Sequence, residues 1–206
     1  MKRCAIISGG AYAPLTDIGK CEYVAACDKG YEYALQDGVH VDLLIADFDS
    51  YQGEVSPDLE VIALPGQKDD TDTLHAYREI IRRGFDQVYL YCALGGRLDH
   101  LYANIQCAVY GAKEGVETYF IDEQENIIVS NAGQIVLPRK EGYSLSVFAA
   151  DLAEHVSIEN AFYELADERL VNSFPLGQSN EWLDGDVLIR KGEGVLIIIE
   201  SKLNNK

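Results

Sequence analysis

Ile45-Ala46-Asp47-Phe48-Asp49-Ser50 follows the apolar run Val41-Asp42-Leu43-Leu44. The run reads as a strand buried on both faces, as the strands of a parallel sheet are. Asp47 and Asp49 stand two residues apart. If the chain stays extended there, both side chains point to one side and Phe48 to the other. Two carboxylates aimed at one spot repel unless a cation lies between them. Paired hard oxygen ligands suit Mg²⁺, which keeps waters and shares its other positions with substrate phosphates. An isolated Asp-x-Asp after a strand is more often a solvated turn. The neighbouring stretches decide between the two.

Upstream, Arg3–Ile7 is a short strand that ends in Ser8-Gly9-Gly10. Those glycines either bring backbone N–H groups close to a ligand or form a plain loop. A second strand, Tyr23–Cys27, stops at Asp28-Lys29-Gly30, and a helix over residues 31–36 is closed by Gly38. Downstream, a strand over residues 61–64 leads into Lys68-Asp69-Asp70-Thr71-Asp72-Thr73-Leu74. The helix that follows places Leu74, Tyr77, Ile80 and Ile81 on one face. It has acidic residues in its first turn, Arg82 and Arg83 in its last, and Gly84 at its end. A helix cap accounts for one of Asp69, Asp70 and Asp72 but not for all three. Lys68 is not needed for capping and could hold a phosphate. A fifth strand over residues 87–94 runs into Gly95-Gly96-Arg97-Leu98-Asp99-His100. A helix with Leu101, Ile105, Ala108 and Val109 inward comes next, then a sixth strand over residues 118–122.

Strand followed by helix or loop, repeated, predicts an α/β fold with a doubly wound, mostly parallel sheet over residues 1–125. Every polar cluster falls just after a strand: Gly9-Gly10, Asp28, Asp47/Asp49, Lys68/Asp72 and Arg97/Asp99. Ligands of open parallel sheets bind at the carboxyl ends of the strands. Five clusters on one edge point to a site for an anion and a metal. From residue 126 to 206 the pattern changes to short strands over 126–130, Gln134–Leu137, Tyr143–Ala149, 156–158, 186–190 and 194–200, several separated by glycines. These predict a small all-β sandwich. Within it, the loop Leu176-Gly177-Gln178-Ser179-Asn180-Glu181-Trp182 offers short polar groups suited to the edge of a heteroaromatic ring. Trp182 could stack on a cationic ring or cover the sandwich edge.

The chain has 206 residues and a net charge of −17. That excess of negative charge argues against a grip on nucleic acid or on an anionic membrane. It is compatible with a metal-bridged anion or a cationic substrate. Five cysteines, without a Cys-x-x-Cys pair, read as reduced, buried thiols of a cytoplasmic protein. The apolar start is cut by Ser8-Gly9-Gly10, too early for a signal peptide. No apolar stretch approaches membrane-spanning length.

With these pieces in order, the sequence resembles the thiamine pyrophosphokinase family. The matching segments are Asp28-Lys29-Gly30, Ala46-Asp47-Phe48-Asp49-Ser50, Lys68-Asp69-Asp70-Thr71-Asp72, Gly96-Arg97-Leu98-Asp99-His100 and Gly177-Gln178-Ser179-Asn180-Glu181. Each is weak alone; the ordered set is specific. Ala46 and Lys29 stand where the family more usually has Gly. The resemblance implies transfer of the pyrophosphoryl group of ATP to the hydroxyl of thiamine, giving thiamine diphosphate and AMP with Mg²⁺ required. It implies Asp47, Asp49 and Asp72 as metal ligands, with Asp49, Asp72, Arg97 and Asp99 at the reacting centre. Asp28, Lys68, Arg97 and His100 would lie on the ATP side, and Ser179, Asn180 and Trp182 on the thiamine side. It further implies a homodimer whose active site is shared between subunits. Asp99 either accepts the hydroxyl proton or only orients the hydroxyl, and His100 either donates to a phosphate or makes a structural hydrogen bond. Two other readings keep the same residues: a pyrophosphokinase for another alcohol such as a hydroxymethyl pterin, and a nucleotide- or thiamine-binding sensor that does not catalyse.

Overall fold

The computed structural model describes residues 1–48, 53, 55–66 and 71–203. The chain divides into two compact units, Met1–Glu123 and Gln124–Lys206.

The described residues of the first unit form six strands: β1 (Arg3–Ile7), β2 (Tyr23–Cys27), β3 (Leu43–Ala46), β4 (Glu60–Ala63), β5 (Gln87–Tyr91) and β6 (Glu117–Ile121). All pair in parallel, in the order β4-β3-β2-β1-β5-β6. All of β3, and every residue of β1 and β2 after the first, is buried, as a sheet covered on both faces requires. Among the described residues three helices cover it: α1 (Gly30–Gln36), α2 (Asp72–Arg82) and α3 (Leu98–Lys113). Strand alternation assigns their faces. Ala5, Ile7, Ala26 and Leu44 share a core with Tyr31, Tyr33 and Ala34 of α1. Cys4 is in register with Val88, and Val88 with Thr118, on the opposite face. There the Thr118 hydroxyl lies 2.9 Å from that of Tyr77 on α2. The sheet is therefore wound on both sides, and the strand order reverses between β1 and β5.

Two helix faces differ from the sequence expectation. In α2 the buried residues are Thr73, Ala76, Tyr77 and Ile80, so the inward face is shifted toward Thr73, whose hydroxyl meets Ser8 at 3.3 Å. In α3 they are Asn104, Cys107, Ala108, Gly111 and Ala112; Leu101, Ile105 and Val109 are only half-buried. Small residues win because α2 and α3 touch: a Cβ on Gly111 would fall 2.8 Å from the Tyr77 ring. Burial alone does not choose the face when a large aromatic already fills the space.

The second unit is all β: β7 (Glu125–Ser130), β8 (Gln134–Leu137), β9 (Tyr143–Ala149), β10 (Leu152–Glu159), β11 (Leu165–Val171), β12 (Gly177–Asn180), β13 (Val187–Arg190) and β14 (Leu196–Lys202). Two antiparallel sheets form within it, β12-β9-β14-β7 and β11-β10-β13-β8. Leu145, Val147 and Ile198 from one share a core with Val156, Leu170 and Ile189 from the other, the arrangement of a sandwich. The edge strands β11 and β12 escape the sequence reading for a physical reason. Four successive residues of β11 are exposed and three of them are charged, which suits an edge but hides the alternation. In β12, a Cβ on Gly177 would lie 2.2 Å from the Val147 carbonyl oxygen, so that strand pairs through bare backbone.

Among the described residues no helix is long and apolar enough to cross a membrane. All five cysteines are free; four are buried and Cys21 is half-buried.

Candidate active site

The loops after β1 and β5 meet where the strand order reverses, the place at which open α/β sheets bind ligands. The Ser8 N–H donates to the Tyr91 carbonyl at 2.9 Å and the Gly10 N–H to the Cys92 carbonyl at 3.0 Å. A Cβ on Gly10 would fall 2.5 Å from that same oxygen. Gly10 therefore serves the join between two loops, and its N–H is already committed. The Tyr33 hydroxyl of α1 donates to the Gly10 carbonyl at 2.8 Å and fixes the loop from outside.

Three aspartates, two from strand ends and one from a helix start, converge beside this join. Asp28 follows β2, Asp47 follows β3 and Asp72 opens α2. One carboxylate oxygen of each lies within 4.8 Å of those of the other two. Asp28 is buried and sits in the left-handed region at φ 43°. Its carbonyl accepts from the Tyr31 N–H at 3.0 Å and so starts α1, which approaches β1 so tightly that a Cβ on Gly30 would be 2.1 Å from the Ile7 carbonyl oxygen. Thr71 is the N-cap of α2 and accepts from the Leu74 N–H at 3.2 Å, with Asp72 the first helical residue. The capping reading of the acidic run thus applies to Thr71, not to Asp72.

The sequence reading placed Asp28 on the phosphate side; the structure brings it together with Asp47 and Asp72. The premise of an extended chain through Asp47 and Asp49 fails. The strand ends at Ala46, and Phe48 is left-handed at φ 60°. Asp49, Lys68, Asp69 and Asp70 lie outside the described residues. Ionised carboxylates within 4.8 Å of one another repel. A divalent ion with oxygen preference would relieve that repulsion, and the all-carboxylate donor set fits Mg²⁺. Nearby Cys27 responds to the same charge: burial first, then Asp72 and Asp28, push its thiol well up, so it stays protonated and unreactive.

The cleft above these carboxylates has a volume of about 740 Å³ and is lined also by Arg97, Asp99, His100 and Asn104. Arg97 grips Asp99 with two hydrogen bonds, Nε to Oδ1 at 3.1 Å and Nη2 to Oδ2 at 2.5 Å. The His100 N–H donates to the same Oδ1 at 3.0 Å. Arg97, before all other causes, holds the Asp99 carboxyl below its usual range. Asp99 is therefore a weak base, while Arg97 presents a guanidinium fork already ordered for a bidentate anion. Asn104 was missed in the sequence. Its signal was a lone amide among small apolar residues on the helix face that turns inward.

In the second unit the sequence candidates separate. Ser179 is exposed and left-handed at φ 56°, with its N–H donating to the Ser146 hydroxyl at 3.0 Å. Asn180 is 3% exposed, and its amide holds the chain around Tyr163: Oδ1 accepts from the Tyr163 and Glu181 N–H groups, and Nδ2 donates to the Tyr163 carbonyl. These three hydrogen bonds hold the local fold. Trp182 is a core residue, packed among the sandwich side chains with its indole N–H on the Leu137 carbonyl at 3.3 Å. Of the two roles open to Trp182 in the sequence, the structure shows packing.

No curated protein sequence matches the chain. Solved structures do. It is similar to the thiamine pyrophosphokinase of Bacillus subtilis, with TM-score 0.86, 25% identity, and coverage of 98% of this chain and 99% of that one. The fold is shared with thiamin pyrophosphokinase from Geobacillus thermodenitrificans, with TM-score 0.83, 23% identity and 97% of both chains covered. It is shared too with the enzyme from Candida albicans, with TM-score 0.76, 15% identity, and 98% of this chain and 89% of that one covered. The family model for the catalytic domain of thiamin pyrophosphokinase matches residues 17–120, just over half of the chain and the part that carries the aspartate cluster, Arg97 and Asp99. The chain belongs to the thiamin pyrophosphokinase family.

Proposed function

We propose that the protein transfers the pyrophosphoryl group of ATP to the hydroxyl of thiamine, forming thiamine diphosphate and AMP. The observation that carries this reading is the convergence of Asp28, Asp47 and Asp72 below a cleft that also holds Arg97, in a chain of this family. The hydroxyl oxygen bonds to the β-phosphorus. The bond from that phosphorus to the α-bridging oxygen breaks, AMP leaves with the electron pair, and the hydroxyl proton passes to water. Asp28, Asp47 and Asp72 would hold Mg²⁺, which when bound neutralises charge on the phosphate oxygens. Arg97 exchanges the Asp99 carboxylate for phosphate oxygens, two at a time. Asp99 orients the acceptor hydroxyl. Its lowered basicity matters little, because a loose transition state at phosphorus needs positioning and charge balance more than an early proton transfer. His100, in the first turn of α3, lines the same cleft and serves the phosphate side. The cationic ring of thiamine is favoured by the acidity of the chain, net −17.

Incubation with ATP, Mg²⁺ and thiamine should release AMP and no ADP, read by anion-exchange chromatography. ADP as the sole nucleotide product overturns the assignment. Turnover of a hydroxymethyl pterin in preference to thiamine changes the acceptor, and tight ATP binding without AMP release makes the protein a sensor.

We further infer that the protein works as a homodimer in a reducing cytoplasm. Phe162 and Tyr163, edge to face with ring centroids 4.8 Å apart, are both more than 60% exposed, an aromatic surface that a second copy would cover. Sedimentation at micromolar concentration should give about twice the mass of one 22.8 kDa chain; a monomer would refute the dimer.

A further inference from the structure

The segment from β5 to α3 contains three left-handed residues, Cys92 at φ 53°, Gly95 at φ 75° and Gly96 at φ 69°, before Arg97. Such a segment has several accessible paths unless its peptide groups are fastened. At its start it is fastened to the loop after β1: the Cys92 carbonyl accepts from the Gly10 N–H at 3.0 Å, and the Cys92 sulfur from the Ala13 N–H at 3.4 Å. Toward Arg97 the fastening comes from the far side. Asn104, buried on the inward face of α3, donates from Nδ2 to the Ala93 carbonyl at 3.0 Å. That bond ties the segment to the helix that begins just after Arg97. Arg97 itself is 73% exposed, so its own side chain has little packing to hold it in place. Asn104 also lines the cleft, together with Arg97 and Asp99.

We propose that Asn104 is a positioning residue for Arg97. By anchoring the Ala93 carbonyl to α3, it fixes the Gly95-Gly96 backbone from which the guanidinium reaches the phosphate chain of the nucleotide. This rests on the nucleotide reading given above. A displacement of about 1 Å in a charged group costs on the order of a hundredfold in a reaction governed by positioning, so a single buried amide at the base of the segment has leverage.

Two measurements test it on the full chain. Hydrogen–deuterium exchange without metal or nucleotide reads the segment directly, and calorimetric titration with Mg²⁺ and a non-hydrolysable ATP analogue reads the consequence. Asn104→Ala should raise exchange in peptides covering residues 93–97 while leaving β1 and β2 protected. It should weaken the analogue by about tenfold. In an Arg97→Ala background the same substitution should cost no more than about twofold, because the group it positions is gone. Should Asn104→Ala not fold, Asn104→Asp keeps the shape and loses the donor, and the same readouts apply. Unchanged exchange at residues 93–97 overturns the inference. So does a loosened segment with unchanged analogue affinity, or a full tenfold loss that persists without Arg97. Failure of the unsubstituted protein to bind the analogue overturns the nucleotide reading instead, while exchange still judges the role of Asn104 in the segment.

Discussion

Asp28→Asn is expected to lower turnover by about a thousandfold, equivalent to about 4 kcal/mol of transition-state stabilisation, while making the metal-free protein more stable. The two effects have one cause. Asp28, Asp47 and Asp72 bring carboxylate oxygens within 4.8 Å of one another, and ionised carboxylates that close repel. Neutralising Asp28 removes two of the three repulsions. Asn is the best replacement for the backbone, since φ 43° is a region Asn tolerates and most residues do not. The metal-free melting temperature should therefore rise, by several degrees for a chain of this size. Addition of millimolar Mg²⁺ should raise the melting temperature of the unsubstituted protein and leave that of the variant almost unmoved, because a ligand stabilises only the state that binds it. Calorimetric scans with and without Mg²⁺ check both signs at once. A variant that still gains the full Mg²⁺ shift removes Asp28 from the metal set. One that melts lower without metal shows that the three carboxylates are not in mutual repulsion.

What the sequence could reveal here follows from the range of each interaction. β1, β2, β8 and β9 are legible to the residue because their apolar runs are local and bounded by glycine or charge. The strand-end clusters were legible because a parallel sheet gathers its strand ends on one edge. Which of those clusters touch was not, since that depends on backbone angles no residue type declares. Asp28 joins Asp47 and Asp72 through one left-handed residue at a strand end. Trp182 shows the opposite limit. A lone tryptophan beside polar residues has the composition of a ligand site, yet its indole closes the sandwich core. α3 teaches the same lesson within a helix: periodicity located the helix, while the Tyr77 ring selected the small-residue face that turns inward.

Arg97→Lys is expected to cut turnover by about a hundredfold with the fold unaltered, a larger loss than one conserved positive charge suggests. The guanidinium in this structure makes two parallel hydrogen bonds to one carboxylate, at 3.1 and 2.5 Å, and that fork is the geometry a phosphoryl group presents. A lysine ammonium retains the charge and loses the second bond. Both partners are mostly exposed, 73% for Arg97 and 61% for Asp99, so water screens the pair and a triphosphate can displace the carboxylate readily. Asp99 thus holds the fork in order without locking it. The pH profile gives an independent reading. Arg97 depresses the Asp99 carboxyl, so Asp99 stays ionised to lower pH than an ordinary aspartate, and whatever its charge contributes is lost only as pH falls through that lowered value. Arg97→Ala lets the carboxyl return toward its ordinary range, and the acid limb of the remaining turnover should move to higher pH. Steady-state rates with saturating ATP, followed down to pH values below 3.8, would decide it. An Arg97→Lys variant within threefold of the unsubstituted rate would mean that charge alone, and not the paired geometry, is what the phosphate chain requires.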